Sequence, residues 1–157
     1  MEFNEYMIVK WLHILSSTFL FGTGIGSAFY MLFTSLSRDV RAIAVVSRYV
    51  VLADWVFTST SVVAQPLTGF YLAHLAGFPL TSRWIVWSIG LYLLAGACWL
   101  PVVWMQIRMR DMAQLALKNN TDLPKQYWRY LRIWVVLGIP AFMALVAVFY
   151  LMVAKPV

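Results

Sequence analysis

Charged side chains are scarce in this chain. Only 11% of its 157 residues are Asp, Glu, Lys or Arg, whereas 62% are hydrophobic. Soluble domains carry about a quarter charged residues and about half apolar ones. An apolar excess of this size cannot be hidden inside a compact soluble core. The composition therefore predicts a membrane protein whose main partner and solvent is the lipid bilayer.

Cysteine and histidine are also rare. The sequence holds one cysteine, Cys98, and two histidines, His13 and His74. A single cysteine excludes an intramolecular disulfide and a cysteine-based zinc site. The net charge is +6, but the basic residues flank apolar runs, as they do in membrane proteins. We therefore expect no nucleic-acid partner.

Four apolar segments are long enough to cross a bilayer as helices, which takes about 20 residues. Their approximate bounds are 6–36, 48–77, 83–107 and 133–154. Helices satisfy their own backbone groups in lipid. The sequence therefore predicts an all-α membrane protein, a single four-transmembrane-helix bundle over residues 1–157. The first run is too long for a signal peptide, so we interpret it as the first span.

Lys and Arg residues concentrate in the first and third connections between these segments. They are Arg38, Arg41, Arg48, Arg108, Arg110, Lys118, Lys125, Arg129 and Arg132. The opposite side holds only Lys10, Arg83 and Lys155. Because cytoplasmic connections carry the excess of positive charge, we predict that both termini lie on the non-cytoplasmic side of a multi-pass protein.

The third helix is expected to continue past the membrane surface to Lys118. Asn119 and Asn120 are typical helix-stop residues, and Thr121 or Asp122 is a typical start for the fourth helix. These residues predict where the longest connection begins and ends.

The second segment contains unusual polar residues. Pro66 is expected to kink its helix, because proline removes a backbone donor. The side chains expected to satisfy the freed groups are Ser59, Thr60, Ser61 and Gln65.

An acidic residue, Asp54, lies near the cytoplasmic end of the same segment. We expect it to pair with Arg48, with Arg41 or with a basic residue at the start of the fourth helix. A role in proton relay is the less favoured alternative.

The two histidines define the candidate site. His13 lies about two turns into the first helix and His74 about one turn before the end of the second, so both reach a similar shallow depth on the outer side. Two imidazoles on neighbouring helices can bind one metal, and a bis-histidine b-type haem is the leading hypothesis. Ser17, Leu20 and Gly24 share the helical face of His13, and two of them are small enough to leave space.

Basic residues and methionines extend these hypotheses. Lys10, Arg83 and Lys155 could pair with haem propionates, or simply extend to the membrane interface. Met7 and Met152 lie near the outer side, where thioethers suit Cu(I), so copper is the alternative metal. The histidines could also make only structural hydrogen bonds, as in a non-catalytic accessory subunit.

Gly22 and Gly26 form a small-xxx-small pair on nearly the opposite face of the first helix. Such pairs permit close helix packing. They make a homodimer plausible.

Several stretches resemble known families. "KWLHIL", "RYLRIW…GIP" and "VAKPV" resemble the HemJ-type protoporphyrinogen oxidases. The stretches "ADWVFTSTSVVAQPLTGFYLA" and "ACWLPVVWMQIRMRDMA" are similar to an uncharacterised bacterial family of predicted integral membrane proteins. That family has a domain of unknown function and is grouped with HemJ and with the CopD copper-resistance proteins.

The resemblance implies a four-helix bundle in the bacterial inner membrane. It also implies that His13 contacts a b-type haem or acts in tetrapyrrole chemistry. The chain reads "SRWIVW" where HemJ proteins carry a histidine- and lysine-containing segment. The lysine is absent here, which leaves haem binding open with His74 as a possible replacement ligand. The function we expect is redox or electron transfer with a quinone or respiratory partner, or a HemJ-like porphyrin oxidation.

Overall fold

The computed structural model describes residues 4–156, and every regular element among them is helical. Helix accounts for 88% of the chain. In chain order the elements are α1 (Glu5–Leu36), α2 (Val40–Ala53), a π-helical turn (Asp54–Thr58), α3 (Ser59–Leu75), α4 (Arg83–Asn119) and α5 (Lys125–Ala154). The all-α prediction is therefore confirmed.

Short polar connections separate these long helices. Asp39 caps α2, because its Oδ1 atom accepts hydrogen bonds from the Arg41 amide at 2.9 Å and the Ala42 amide at 3.2 Å. Asn120, with φ of +51°, ends α4 in the left-handed conformation that asparagine tolerates well. The predicted stop at Asn119 and Asn120 is therefore confirmed.

The start predicted for the last helix is wrong. α5 begins at Lys125, after Pro124, and not at Thr121 or Asp122. A proline disfavours helical geometry in the residue before it, so Leu123 cannot join the helix. The helix is also longer than the span predicted from residue 133.

Three helices are long and apolar enough to cross a membrane: α1, α4 and α5. The second predicted span, residues 48–77, is instead distributed over α2, the π-helical turn and α3. The backbone stays right-handed and helical from Ala53 through Ser59. These pieces therefore form one rod of about 54 Å at 1.5 Å per residue.

Pro66 stays inside α3, and its missing donor is replaced from another helix. Without a proline, the amide at position 66 would donate to the carbonyl of Val62. The Tyr92 hydroxyl of α4 donates to that carbonyl at 2.8 Å. The donor is thus Tyr92, and the prediction that it would be Ser59, Thr60, Ser61 or Gln65 is wrong. Gln65, the nearest of them, turns instead toward α1.

The buried core lies at one end of the bundle. We call the end where residues 37–39 and 120–124 connect the helices the basic end, and the end with residues 76–82 the histidine end. α1 packs mainly on α3, and α4 packs on α5 and α2. The main cluster of buried side chains lies toward the basic end and consists of Met31, Ile43, Ala44, Val50, Val102, Met105, Met109, Ala113, Tyr127, Leu131 and Trp134.

Large apolar side chains cover the outside of the bundle. Leu93 and Val136 are each 66% exposed and Val153 is 85% exposed. Water would penalise so much uncovered apolar surface, whereas hydrocarbon would not. The surface therefore agrees with a bilayer as the surrounding solvent.

A buried hydroxyl pair joins α1 to α5 within the core. Ser35 donates to the Met31 carbonyl at 2.6 Å, so Tyr127, 2.7 Å from the Ser35 oxygen, is the donor of that second bond. Tyr127→Phe should lower the free energy of unfolding by about 1 kcal/mol, the usual loss for one buried hydrogen bond. Thermal unfolding in detergent measures this loss of stability. Tyr150→Phe is the control, since Tyr150 is 69% exposed. Equal melting temperatures for both variants would contradict the assignment.

Candidate metal and cofactor site

His13 joins α1 to α3 through its side chain. Its Nδ1 atom lies 2.7 Å from the Thr68 hydroxyl oxygen, and the imidazole is half-buried between the helices. The Thr68 hydroxyl lies 2.7 Å from the Ala64 carbonyl, which can only accept. Its single proton is therefore used there. The Thr68 oxygen must then accept from His13, which makes Nδ1 the protonated nitrogen.

The Nε2 atom of His13 is consequently the nitrogen with a free lone pair. It makes no hydrogen bond to a residue within 4–156 and is not sealed inside the bundle. Histidines that bind metals commonly donate the other ring N–H to a protein oxygen, which holds the tautomer and the ring orientation. His13 has this arrangement, so its neutral imidazole is suited to bind a metal or haem iron.

Gln65 forms a second polar connection beside the imidazole. Its Nε2 atom donates to the His13 carbonyl at 2.8 Å and also to the Ser16 hydroxyl. Gln65 therefore binds the backbone of His13, and Thr68 binds its side chain. Together these contacts hold α1 and α3 in one register.

Gly69 allows the ring to lie against the α3 backbone. A Cβ atom at this position would lie 3.3 Å from the His13 Cε1 atom, closer than nine in ten such contacts. A larger residue would require the imidazole or the backbone to shift by a few tenths of an ångström. Glycine therefore favours close approach here, and it is not required by an unusual backbone angle.

His74 is not part of this contact. It is exposed in the last turn of α3, six residues beyond Thr68. Helical geometry puts it about 9 Å farther along the axis and rotated by about 120°. The similar depth predicted for the two histidines is therefore wrong, because α3 places Thr68 beside His13. The structure therefore brings His13 together with Thr68 and Gln65, while ligation of a metal by His74 stays a prediction.

Ser17 and Gly24, the small residues predicted beside His13, make no hydrogen bond with its side chain. The Ser17 hydroxyl donates within its own helix, to the Ile14 carbonyl at 2.7 Å. Gly24 faces open space, because a Cβ atom there would meet nothing within 4 Å. The serine that contacts the His13 network is Ser16.

The three basic residues of the histidine end lie at helix ends. The Lys10 ammonium lies 5.8 Å from the centre of the Tyr6 ring. Lys155 lies 4.8 Å from the centre of the Phe78 ring, so it ties the end of α5 to the 76–82 connection. Arg83 is the exposed first residue of α4. Their pairing with propionates stays a prediction.

No group of three or more His, Cys, Asp or Glu residues capable of holding a metal occurs in the part of the chain that the structure describes. A closed all-protein metal site is thus not present between residues 4 and 156. A haem iron needs only one or two protein ligands, because the porphyrin supplies four nitrogens. The arrangement around His13 fits that requirement. Met7 and Met152 are exposed, and their role as copper ligands stays a prediction.

Sequence reasoning missed Gln65, Thr68 and Gly69 as partners of His13. A signal was available: Thr68 lies seven residues from the end of α3, and His13 lies eight residues from the start of α1. Equal depth on neighbouring helices predicts contact.

The comparisons with known proteins agree with a membrane location. A family model described as predicted integral membrane protein (DUF2269) matches residues 7–156. No curated protein and no solved structure matches the chain. The resemblance to HemJ and CopD therefore receives no support from these comparisons.

The tautomer of His13 can be measured directly. Nitrogen NMR of protein labelled at its histidines should show His13 neutral and protonated at Nδ1, because the Thr68 oxygen accepts that proton. Thr68→Ser should keep this pattern, whereas Thr68→Val should convert part of the signal to the Nε2–H form. The exposed His74 should respond to neither change. Protonation of His13 at Nε2 in the wild type would refute the assignment.

Proposed function

We propose that this chain, which belongs to the predicted integral membrane protein family DUF2269, binds a b-type haem through His13 and acts as a redox protein of the bilayer. One observation carries the proposal: the bond between His13 Nδ1 and the Thr68 oxygen. It leaves Nε2 as the lone-pair donor that haem iron requires.

The roles of the protein groups follow from their contacts. Thr68 holds the imidazole in its orientation and in the tautomer that is protonated at Nδ1. Gln65 holds the backbone beneath it. Gly69 sets how near the ring lies to α3. When bound, the haem supplies one-electron chemistry, which no side chain near His13 can supply.

His74 remains the candidate second ligand. Its imidazole is exposed and no hydrogen bond among residues 4–156 holds it, so it is free to turn. A haem held by His13 alone would be five-coordinate, and one held by both would be six-coordinate. The two cases have different optical spectra, so they can be distinguished.

The proposal includes four crossings in a bacterial inner membrane, with both termini on the non-cytoplasmic side. The rod formed by α2, the π-helical turn and α3 supports the fourth crossing, since it runs from the basic end to the histidine end. The excess of Arg and Lys at the basic end supports the orientation. The histidine end then faces away from the cytoplasm.

The proposal also includes an electron partner, either a quinone or a respiratory protein within the same membrane. A HemJ-like oxidation of a porphyrin would use the same histidine. The proposal allows a homodimer that packs through Gly22 and Gly26. The surface beside them is open, because a Cβ atom at either glycine would meet nothing within 4 Å.

Titration of the purified apoprotein with haemin tests the proposal. Wild type should bind one equivalent, whereas His13→Ala should lose the saturable site. Thr68→Val should bind at least about tenfold more weakly, the usual effect of removing the partner of a metal-binding histidine. Thr68→Ser should bind like the wild type, since it keeps the hydroxyl.

Two controls make the titration decisive. Thr121→Val changes an exposed threonine in the 120–124 connection and should have no effect. His74→Ala should either leave the spectrum unchanged or convert it from six- to five-coordinate, which decides the second ligand. Equal haemin affinity for wild type and His13→Ala, with both variants folded, would refute the proposal.

A further inference from the structure

The π-helical turn between α2 and α3 carries a buried acid that the haem proposal does not use. Asp54, the first residue of this turn, is only 5% exposed. It lies about 31 Å from the end of α3 at Leu75 and about 21 Å from Thr68 along the helical rod. It is therefore remote from His13. π-helical turns often occur at functional sites.

No basic side chain neutralises Asp54. The only ion pair within residues 4–156 joins Arg110 to Asp111. Arg48 is exposed and lines a separate cleft with Gln114. The predicted pairing of Asp54 with Arg48, with Arg41 or with a basic residue at the start of the fourth helix is therefore wrong. The physical reason is helical rotation: Arg48 is six residues from Asp54, which puts the two on different faces.

The elements packed against the turn contribute no charge at the carboxyl either. α1 approaches the turn through an apolar contact, the stacking of Phe19 on Phe57 with ring centres 5.6 Å apart. On α4, Arg108 lies over the Trp104 ring, and the Tyr92 hydroxyl is bound to a carbonyl of α3. The side-chain groups that donate to the carboxyl are the Thr58 hydroxyl and the Gln106 amide.

One neighbour lacks a hydrogen-bond donor. Thr58 donates to Asp54 Oδ1 at 2.9 Å, and the Ser59 hydroxyl donates to the Asp54 carbonyl at 3.0 Å. Gln106 of α4 lines the same cleft as Asp54 and is 2% exposed. Its Oε1 atom is buried and has no partner among the described residues. A buried acceptor without a donor is costly.

A proton on Asp54 would neutralise a carboxylate that has no counter-charge. With the Gln106 amide turned over, so that its oxygen and not its N–H faces Asp54, the protonated carboxyl would be a donor for the Gln106 oxygen. We propose that Asp54 and Gln106 form a proton-binding site, in which Asp54 is a carboxylic acid that donates to Gln106. The cleft beside them is too narrow for a water molecule, so a hydrated metal cation does not fit.

This site is independent of haem binding. Ionisable residues within membrane segments are expensive and usually functional. Asp54 lies nearer the basic end than the histidine end, about 21 Å from Val40 along the helical rod. Its reversible protonation would couple proton uptake to the packing of α4 against the π-helical turn.

Two measurements on the full-length protein in detergent test the proposal. Dicyclohexylcarbodiimide adds to protonated carboxyl groups in apolar surroundings, and the product is found by mass spectrometry of peptides. We expect an adduct on Asp54 that increases at acid pH and is lost in Asp54→Asn. Infrared spectra should show a carboxylic acid band that Asp54→Asn removes and Gln106→Leu shifts.

Matched variants keep both measurements specific. Asp122→Asn and Gln126→Leu change exposed residues and should alter neither signal. If the reagent does not reach Asp54, the infrared band alone supports the proposal. Suppression of the adduct by sodium, compared with choline, would assign the site to a metal ion instead. Absence of both the adduct and the band would show an ionised Asp54 and overturn the proposal.

Discussion

The hydrogen bond from the His13 imidazole to the Thr68 hydroxyl is the contact on which the histidine end depends. It joins α1 to α3. Because the hydroxyl proton is already committed to the Ala64 carbonyl, the bond also decides which ring nitrogen carries hydrogen. One contact thus contributes to helix register and sets the chemical form of the imidazole. Gln65 adds a second connection by binding the His13 carbonyl, and Gly69 leaves room for the ring.

The two ends of the bundle are held together by different kinds of contact. Toward the basic end, a cluster of buried side chains around Met109 and Tyr127 packs α2, α4 and α5 together. Toward the histidine end, polar contacts between α1 and α3 carry more of the organisation. The π-helical turn with Asp54 separates these regions on the α2–α3 rod. The main buried cluster and the contacts of His13 therefore lie at different depths of the bundle.

Much of the fold could be predicted, because hydropathy and helix-stop residues are local signals. The end of α4 at Asn119 followed directly from them. The π-helical turn and the Tyr92 bond to the Val62 carbonyl could not be predicted, since both depend on how α4 lies against α3. For the site, the choice of His13 came from its polarity in an apolar span. Its partners required knowledge of helix rotation, which sequence spacing leaves open.

We propose that His13 presents a free Nε2 atom to haem iron. The optical spectrum of the protein purified from haem-replete cells, oxidised and then reduced, is the direct test. We expect a Soret band that shifts on reduction and disappears in His13→Ala, with the variant still folded. A colourless wild-type protein from those cells would contradict it.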